Sequence, residues 1–312
     1  MNETDLLRHI ADRAPAAQLS GGWSLAVGPG DDCAVLKNAD GSPLLVTVDQ
    51  LVEGVHFVPG TELSLIARKA VARSVSDIAA MGGVPSWATA TGLLPKGYEQ
   101  GEELIDALNR WAEHWQCPLI GGDLAFHAEA NHPLTLTVTV AGVMEPGHAP
   151  VRRSGSQAGD SVYLTGPIGG SFDPETGLGR HLTFSPRLEA GRWASAMDER
   201  GQPHAHAMID LSDGLGRDAS RVAKASGGVI EIEAQRIPLH ENAGDWREAI
   251  AAGEDYELMM TVAPGTAIPA QLGLIGPIGV CRALNQDESP TCLILDSDGT
   301  RHNAAGFGWD HG

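Results

Sequence analysis

Residues 28–57 read GPGDDCAVLKNADGSPLLVTVDQLVEGVHF, a glycine-rich turn followed by two strand-forming runs. The Gly-Pro-Gly turn adopts backbone angles that bulkier residues avoid, and it leads directly into Asp31 and Asp32. After a short polar connection, the β-branched run Leu44 to Val48 predicts a strand that ends at Asp49. Two carboxylate clusters are therefore expected at the ends of two strands that are neighbours in the sequence.

Side chains alternate between the two faces of a strand, so Thr47 and Asp49 are expected on one face and Val46 and Val48 on the other. Carboxylates held close together near neutral pH repel each other unless a cation lies between them. The alternative interpretation is a pair of solvated turns, because aspartate is common in turns. The stretch is thus a candidate cation site.

The chain of 312 residues is long enough for two domains that each bury a core. Its hydrophobic content of 42% and charged content of 20% are typical of a soluble globular protein. No apolar run is long enough to span a bilayer, and the first residues lack the charged-then-apolar pattern of a secretory signal. We therefore expect a cytoplasmic protein.

The formal net charge of −19 argues against nucleic acid or an anionic membrane as a partner. Phosphorylated small molecules stay possible where metal ions intervene. The four cysteines are far apart and form no CxxC pair, which predicts reduced, mostly buried thiols and neither disulfides nor zinc ligands. They are Cys33, Cys117, Cys281 and Cys292.

In the N-terminal half, residues 2–14 predict a short helix and Leu63 to Met81 predicts a longer one with an apolar stripe. Asp77 lies near the end of the longer helix, where the macrodipole disfavours a carboxylate, so it is a functional candidate. The alternative is an exposed aspartate at a helix end. A short buried strand, Pro118 to Ile120, is expected to precede Gly121-Gly122-Asp123, where glycines let the backbone approach a ligand.

In the C-terminal half, the Gly- and Pro-rich segment from Gly166 to Arg187 predicts an ordered loop or lid. Asp210 to Gly214 is expected to open a helix in which Ser212 is the cap and Asp213 lies in the first turn. That structural explanation leaves Asp210 without a role. Two histidine pairs are candidate metal ligands, but neither has a fixed third ligand. They are His204 with His206 and His127 with His132.

The sequence has no P-loop, no kinase catalytic-loop motif and no GxSxG elbow. It has instead a set of aspartates at element ends, each beside glycine or a small residue. Hard oxygen ligands of this kind suit Mg²⁺, which prefers to share its ligands with substrate phosphates. Phosphoryl transfer is therefore the leading chemistry. The aspartates are Asp32, Asp49, Asp77, Asp123 and Asp210.

Several segments occur in an order that is similar to one enzyme family. They are GPGDDCAVL, TVDQLVEGVHF, SVSDIAAMGGVP, LIGGD, RSG with GDSVYLTG, IDLSDGL and AGEDYELMMT. Over nearly the whole chain they resemble thiamine-monophosphate kinases, within the superfamily of aminoimidazole ribonucleotide synthase and selenophosphate synthetase. The VEGVHF and GEDYEL segments resemble the kinases more than their superfamily relatives.

The chain turns loop-like around Glu145 to Pro150, which predicts a domain boundary there. The resemblance implies a two-domain α/β (α+β) fold. With this boundary, the N-terminal ATP- and Mg²⁺-binding and dimerisation domain covers 1–147 and the C-terminal α/β domain covers 148–312. The N-terminal mixed sheet and its helices would form a β-barrel across the interface of a homodimer. The implied reaction is the ATP-dependent phosphorylation of thiamine monophosphate to thiamine diphosphate, assisted by several Mg²⁺ ions. ATP and thiamine monophosphate are the expected partners.

The resemblance also implies roles for individual residues. The magnesium ions would be held by Asp32, Thr47, Asp49, Asp77, Asp123, Asp210 and Asp213. ATP would be contacted by Gly122, Asp123, Arg153 and Ser212. Thiamine monophosphate would be contacted by His56, Glu254 and Trp309, and the catalytic residues would be Asp49, Asp123 and Arg153.

The chain departs from the family pattern at several positions. Leu124 to His127 follow Asp123 where the family has a threonine and then an Arg-Gly pair, and extra residues follow around Ala128 to His132. Val48 replaces a hydroxyl residue that is a metal ligand in the family, and Ala252 replaces a glycine. These changes touch the rim of the expected site and leave its aspartates in place.

Two alternatives follow from these departures. The first is a paralogue that uses the same ATP and magnesium site on another small-molecule acceptor. The second is a nucleotide-binding regulator without turnover. The retained aspartates and Arg153 argue against the second alternative, because binding alone does not need so many metal ligands.

Overall fold

A computed structural model describes residues 6, 9–10, 13 and 18–309. Most of the helix predicted over residues 2–14 lies outside these residues. Within the described residues, no helix is both long enough and apolar enough to cross a bilayer. All four cysteines are free and buried, as predicted.

The first half of the chain builds a six-stranded sheet in the order β1-β2-β3-β6-β4-β5. The β4–β5 pair is parallel and the other neighbours are antiparallel. Strands β1 and β5 form the two edges, so the sheet is open within the described part of one chain. The strands are β1 (Ser24–Val27), β2 (Ala34–Lys37), β3 (Pro43–Val52), β4 (Val84–Leu94), β5 (Leu119–Phe126) and β6 (Thr135–Val143).

Helix α1 (Leu63–Ala80) packs against β3 and β6, and helix α2 (Gly101–His114) packs on α1. The long helix predicted from Leu63 is confirmed. It is buried on more faces than an amphipathic stripe requires, because the C-terminal half covers it as well. Even the side chain of Lys69 on α1 is fully buried. This helix therefore connects the two halves of the protein.

Strand β5 corrects the expectation of a short buried strand before the glycine pair. The strand continues through Gly121, Gly122 and Asp123 to Phe126, and most of it is exposed. The reason is its position, since β4 covers one edge of β5 and no strand of the described chain pairs with the other. Glycine and aspartate therefore lie within an edge strand and not in a turn.

The second half builds a seven-stranded sheet in the order β13-β12-β9-β11-β7-β10-β8, with one parallel pair, β9 and β12. Its helices are α3 (Leu188–Ser195), α4 (Leu215–Ser226) and α5 (Trp246–Ala251). The predicted domain boundary falls in the connection between β6 and β7. The strands are β7 (Ser161–Leu164), β8 (Ala205–Asp210), β9 (Val229–Glu233), β10 (Leu258–Val262), β11 (Ile275–Arg282), β12 (Thr291–Leu295) and β13 (Arg301–Asn303).

The start of α4 differs from the prediction. Gly214, with φ of 102°, occupies the N-cap position, and no side chain caps the helix. Ser212 is therefore not the cap, and Asp213 lies before the helix and not in its first turn. The glycine adopts this left-handed backbone conformation more readily than Ser212 would. At the other end, Gly227 has the left-handed conformation that commonly ends a helix.

Candidate active site

Three aspartates from distant parts of the sequence converge where the two halves of the chain meet. Asp32 lies before β2, Asp77 lies in the last turn of α1, and Asp210 is the last residue of β8. Oxygen atoms from the three carboxylates lie within 4.8 Å of one another. The fold thus brings together three of the five aspartates that suggested a metal site.

The cluster is buried and strongly acidic. Burial raises the pKa of Asp77 well above its ordinary value, and the charges of Asp49, Asp210 and Asp32 raise it further. Burial is also the main cause of the raised pKa of Asp210, followed by the charge of Asp32. A divalent cation would relieve this repulsion because it places positive charge between the carboxylates.

Hydroxyl groups orient two of the three carboxylates. Thr47 Oγ1 donates a hydrogen bond to Asp77 Oδ2, and Ser76 Oγ donates to Asp210 Oδ2 over 2.7 Å. Thr47 lies on the inner face of β3 together with Asp49, as the alternation predicted. Thr47 can therefore orient Asp77, a predicted metal ligand, in addition to its own predicted role as a metal ligand.

Arg153 binds the Asp31–Asp32 pair. Its Nη2 and Nε donate to Asp32 Oδ1 over 2.6 and 3.3 Å, and its backbone N–H lies 3.2 Å from Asp31 Oδ1. Burial and the neighbouring Asp32 raise the pKa of Asp31 to about 6. Asp32 Oδ2 is buried and has no hydrogen-bond partner among the described residues. An unpartnered buried oxygen among hard carboxylate donors fits Mg²⁺.

A cleft of about 360 Å³ opens beside the cluster, with walls from both halves of the chain. Eight of the residues predicted to bind metal or substrate line it. They are Asp49, His56, Asp77, Asp210, Ser212, Asp213, Glu254 and Trp309. Thr47 contacts this set through Asp77.

The end of the cleft predicted to hold the acceptor is lined by His56, Glu254 and Trp309. The backbone N–H of Val52 donates to His56 Nδ1 over 2.9 Å. In the neutral ring the proton is therefore on Nε2, so His56 can donate a hydrogen bond from that atom. The Trp309 side chain is half exposed.

Two residues beneath this end of the cleft, Lys69 and His181, were not predicted from the sequence. Lys69 Nζ donates to Glu254 Oε2 and to the carbonyl oxygen of His56, each over 2.6 Å. His181 Nδ1 lies 2.8 Å from Lys69 Nζ and 3.3 Å from Glu254 Oε2. Lys69 thus contacts two of the residues predicted to bind the acceptor substrate, His56 through its backbone carbonyl group and Glu254 through its carboxylate.

This network shifts the pKa values of its two charged members. Burial lowers the pKa of Lys69 to about 8, although Glu254 opposes the shift. Burial alone would raise the pKa of Glu254, but its contacts with His181 and Lys69 lower it to about 2. The carboxylate is therefore ionised at neutral pH.

The GEDYEL segment has an unusual backbone, since Glu254 and Tyr256 have positive φ values of 63° and 51°, a conformation that non-glycine residues adopt rarely. Its other two acidic residues, Asp255 and Glu257, bind separate partners. Asp255 accepts from the Gly169 N–H over 3.0 Å and from Arg180 Nη2 over 2.9 Å. Glu257 accepts from Arg187 Nε over 2.7 Å. The segment thereby anchors the predicted loop, and that loop also places Phe172 in the cleft wall.

Arg73 is a third residue of this region that was not predicted from the sequence. It lines the cleft, and its Nη2 lies 3.5 Å from Asp49 Oδ1. Lys69, Arg73 and Asp77 recur every four residues and so lie on one face of α1. The spacing shows that the three share a face, but it does not show that this face is buried.

Asp213 lines the cleft but is engaged by an arginine. Its Oδ2 lies 2.6 Å from Arg221 Nη2, and Arg221 Nη1 also donates to Asp218 Oδ1 over 2.8 Å. Burial is the main cause that raises the pKa of Asp218 to about 7. The role of Asp213 as a metal ligand stays a prediction, as does the ATP contact of Ser212.

Asp123 is not part of the cluster within one chain. Across the sheet, Asp123 pairs with Thr91, Thr91 pairs with Thr137, and Thr137 pairs with Gln50. These four residues form one row across the strands, and Asp49 belongs to the neighbouring row. Because neighbouring rows face opposite sides of a sheet, Asp123 lies on the other face from Asp49, three strands or about 14 Å away. Within one chain Asp123 therefore lies apart from the cluster, and its role as a magnesium ligand stays a prediction.

Two more predicted features lie away from the cleft. Gly122 and Asp123 line a separate cavity of about 460 Å³ beside α2. Val48 is exposed on the outer face of β3, so its replacement of a hydroxyl does not affect the inner cluster.

The histidine pairs have other partners. His206 Nδ1 lies 2.9 Å from Asp160 Oδ2, and His204 Nδ1 lies 2.9 Å from the Trp193 carbonyl oxygen. The rings of His127 and His132 stack with centroids 3.8 Å apart. In residues 18–309, neither pair belongs to a group of three potential metal ligands.

The sequence is similar to known proteins over most of its length. Residues 30–144 match the family model for AIR synthase related protein, N-terminal domain. Thiamine-monophosphate kinase of Escherichia coli K12 is 32% identical over 325 residues, which cover 95% of this chain and 94% of that protein. The Rhodopirellula baltica enzyme is 36% identical over 262 residues, 78% of each chain.

Solved structures show the same relationship. The structure of AaThiL complexed with AMPPCP and TMP superimposes with a TM-score of 0.78 at 26% identity, covering 100% of this chain and 97% of that one. The hydrogenase maturation protein HypE in complex with ATP has a TM-score of 0.68 at 16% identity over 84% of each chain, which shows a shared fold only. The chain belongs to the thiamine-monophosphate kinase family.

Proposed function

We propose that this protein transfers the γ-phosphoryl group of ATP to thiamine monophosphate and so makes thiamine diphosphate. One observation supports this most directly. A single cleft joins a cluster of three aspartates to His56, Glu254 and Trp309. Metal-binding oxygens and an aromatic, acidic pocket are what a phosphoryl transfer to a thiazolium-containing phosphate needs. The substrates also fit the cytoplasmic location expected from the sequence.

The residues that would hold magnesium are the converging acids and the threonine beside them. When bound, Mg²⁺ ions neutralise charge on the phosphates and help to align them. Arg153 keeps Asp32 oriented through two hydrogen bonds. The ligands proposed within one chain are Asp32, Thr47, Asp49, Asp77 and Asp210.

The acceptor is itself a phosphate oxygen, which is ionised at neutral pH, so the reaction needs no strong general base. The protein instead has to align two anionic groups in line and neutralise their charge. His56 Nε2–H is placed to donate to a phosphate oxygen. Trp309 would stack on the thiazolium or pyrimidine ring, with a cation–π contribution in the first case. Glu254 would face the positive end of the acceptor.

We also propose a homodimer in which the partner supplies Asp123. Large apolar side chains are exposed on the outer face of β3 and along the edge strand β5, including Val48, Ile120 and Phe126, which are 61–64% exposed. An apolar edge strand of this kind is usually covered. Barrel closure between two copies would cover it and bring Asp123 of one chain towards the cleft of the other.

A coupled assay of nucleoside diphosphate release, with thiamine diphosphate identified by mass, tests the proposal. Release should require both thiamine monophosphate and Mg²⁺. The matched control is Asp77→Asn, which keeps the side-chain shape and removes a cluster charge. ATP turnover with another phosphorylated acceptor and none with thiamine monophosphate would indicate the paralogue. ATP binding without turnover on any acceptor would indicate a regulator.

A further inference from the structure

Arg73 is the one lysine or arginine among the described residues that line the cleft. It shares that lining with five carboxylates, from Asp49, Asp77, Asp210, Asp213 and Glu254. Two anionic substrates would have to enter this acidic space. A fixed cation there has a clear electrostatic use.

The hydrogen bonding of Arg73 leaves most of its donors unused by the protein. Nη1 donates to the Gln50 carbonyl oxygen over 3.0 Å, and Nη2 is 3.5 Å from Asp49 Oδ1. Nε is buried and has no hydrogen-bond partner in the part of the chain described. A guanidinium has five N–H donors, and a buried donor without a partner costs free energy. An oxyanion in the cleft would give acceptors to the Nη1 and Nη2 N–H groups that the protein leaves unpaired.

The position of Arg73 on α1 indicates which phosphate it would meet. Four residues earlier, Lys69 contacts His56 and Glu254 at the acceptor end. Four residues later, Asp77 belongs to the aspartate cluster. Because a helix rises 1.5 Å per residue, Arg73 lies about 6 Å along the axis from each. It therefore lies between the predicted acceptor end of the cleft and the metal-binding acids, where the acceptor phosphate would lie.

Arg153 cannot contact the acceptor phosphate in the same arrangement. Both Nε and Nη2 of Arg153 are bound to Asp32 Oδ1, and the residue does not line the cleft. The two arginines are thus distinct in use, since one orients a carboxylate and the other faces the substrate space.

We propose that Arg73 is a substrate-binding residue that holds the phosphate of the acceptor, a phosphate monoester. This inference rests on the proposed function for the identity of the acceptor, but the phosphate contact itself does not. A planar guanidinium offers paired N–H groups to phosphate oxygens, which a lysine cannot reproduce. Arg73 also makes the cleft less dependent on metal ions for neutralising the acceptor.

The test compares the wild type with Arg73→Gln, Arg73→Lys and the control Arg110→Gln, in which an exposed arginine on α2 is changed. Inorganic phosphate binding is measured by titration calorimetry, and KM is measured for thiamine monophosphate and for ATP. Arg73→Gln should weaken phosphate binding and raise the acceptor KM by about ten- to a hundredfold. Arg73→Lys should lie between, the ATP KM should stay within about twofold, and Arg110→Gln should match the wild type.

Unchanged phosphate affinity and acceptor KM in folded Arg73→Gln would overturn the inference, and so would a rise in the ATP KM alone. Thermal unfolding identifies a variant that does not fold, in which case the same criteria apply to Arg73→Lys. A wild type that binds phosphate through Arg73 but does not phosphorylate thiamine monophosphate would refute the proposed function and keep Arg73 as a phosphate-binding residue.

Discussion

Lys69 Nζ lies 2.6 Å from Glu254 Oε2, although 185 positions separate the two residues in the sequence. The lysine side chain is fully buried, while that of the glutamate is 22% exposed. The pair therefore connects the helix of the first half with the GEDYEL segment of the second. It also leaves one side of the carboxylate open to the cleft.

Lys69→Met should destabilise the protein and weaken acceptor binding, because it leaves a largely buried carboxylate without its cation. Removing one partner of a buried ion pair costs about 3–5 kcal/mol. Urea unfolding measures the loss. The double variant Lys69→Met/Glu254→Gln should recover part of the stability but not the acceptor KM. Equal stability of the wild type and Lys69→Met would contradict this role.

The same pair predicts a pH dependence at the acid end. The folded-state pKa of Glu254, about 2, lies below its ordinary value of 4.5. The contribution of Glu254 to the free energy of unfolding is therefore fully present above about pH 4.5 and is lost as pH falls towards about 2. Glu254→Gln should have a flatter stability profile in that window when urea unfolding is measured at successive pH values.

The sequence allowed the aspartates to be identified but not the cations beside them. Asp32, Asp77 and Asp210 follow glycines or end elements, and such positions are readable from local patterns. Lys69 and Arg73 look like solvated residues of an amphipathic helix. Their burial depends on coverage of α1 by the second half of the chain, which is a tertiary fact that no local pattern contains.

The face on which Asp123 lies was unpredictable for a related reason. The register between β4 and β5 shifts by one residue between Ala88 and Thr89, where β5 carries an extra residue. One residue of shift moves every following side chain to the opposite face. Proximity of Asp123 to glycines suggested its use, but only the register shows that it faces away from Asp49.

Asp77→Asn should lower turnover by about a thousandfold or more. It should also reduce the stabilisation of the folded protein by Mg²⁺. Wild-type Tm should rise when Mg²⁺ replaces chelator, because the ion binds the folded cluster and not the unfolded chain. The rise should be much smaller in Asp77→Asn and unchanged in Asp106→Asn, which alters an exposed aspartate on α2. A wild-type Tm that does not change when Mg²⁺ replaces chelator would contradict the proposed metal site.

Trp309→Ala and His56→Ala should raise the KM for thiamine monophosphate and leave the KM for ATP nearly unchanged. Loss of a stacked aromatic costs roughly 1–3 kcal/mol, about ten- to a hundredfold in affinity. Steady-state kinetics with each substrate varied in turn give both values. If Trp309→Ala changed only the ATP value, the two substrates would occupy the cleft in the reverse order.

The role of Asp123 in the partner's site can be tested by subunit complementation. A heterodimer of Asp49→Asn and Asp123→Asn chains, purified through two different tags, should contain one intact site and have about half of wild-type activity. A heterodimer of the wild type with a chain carrying both substitutions should be inactive, because each of its sites lacks one aspartate. If Asp123 acted within its own chain, the two results would be exchanged. Light scattering should give a mass near twice 32.7 kDa for every pair, so that lost activity is not mistaken for lost assembly.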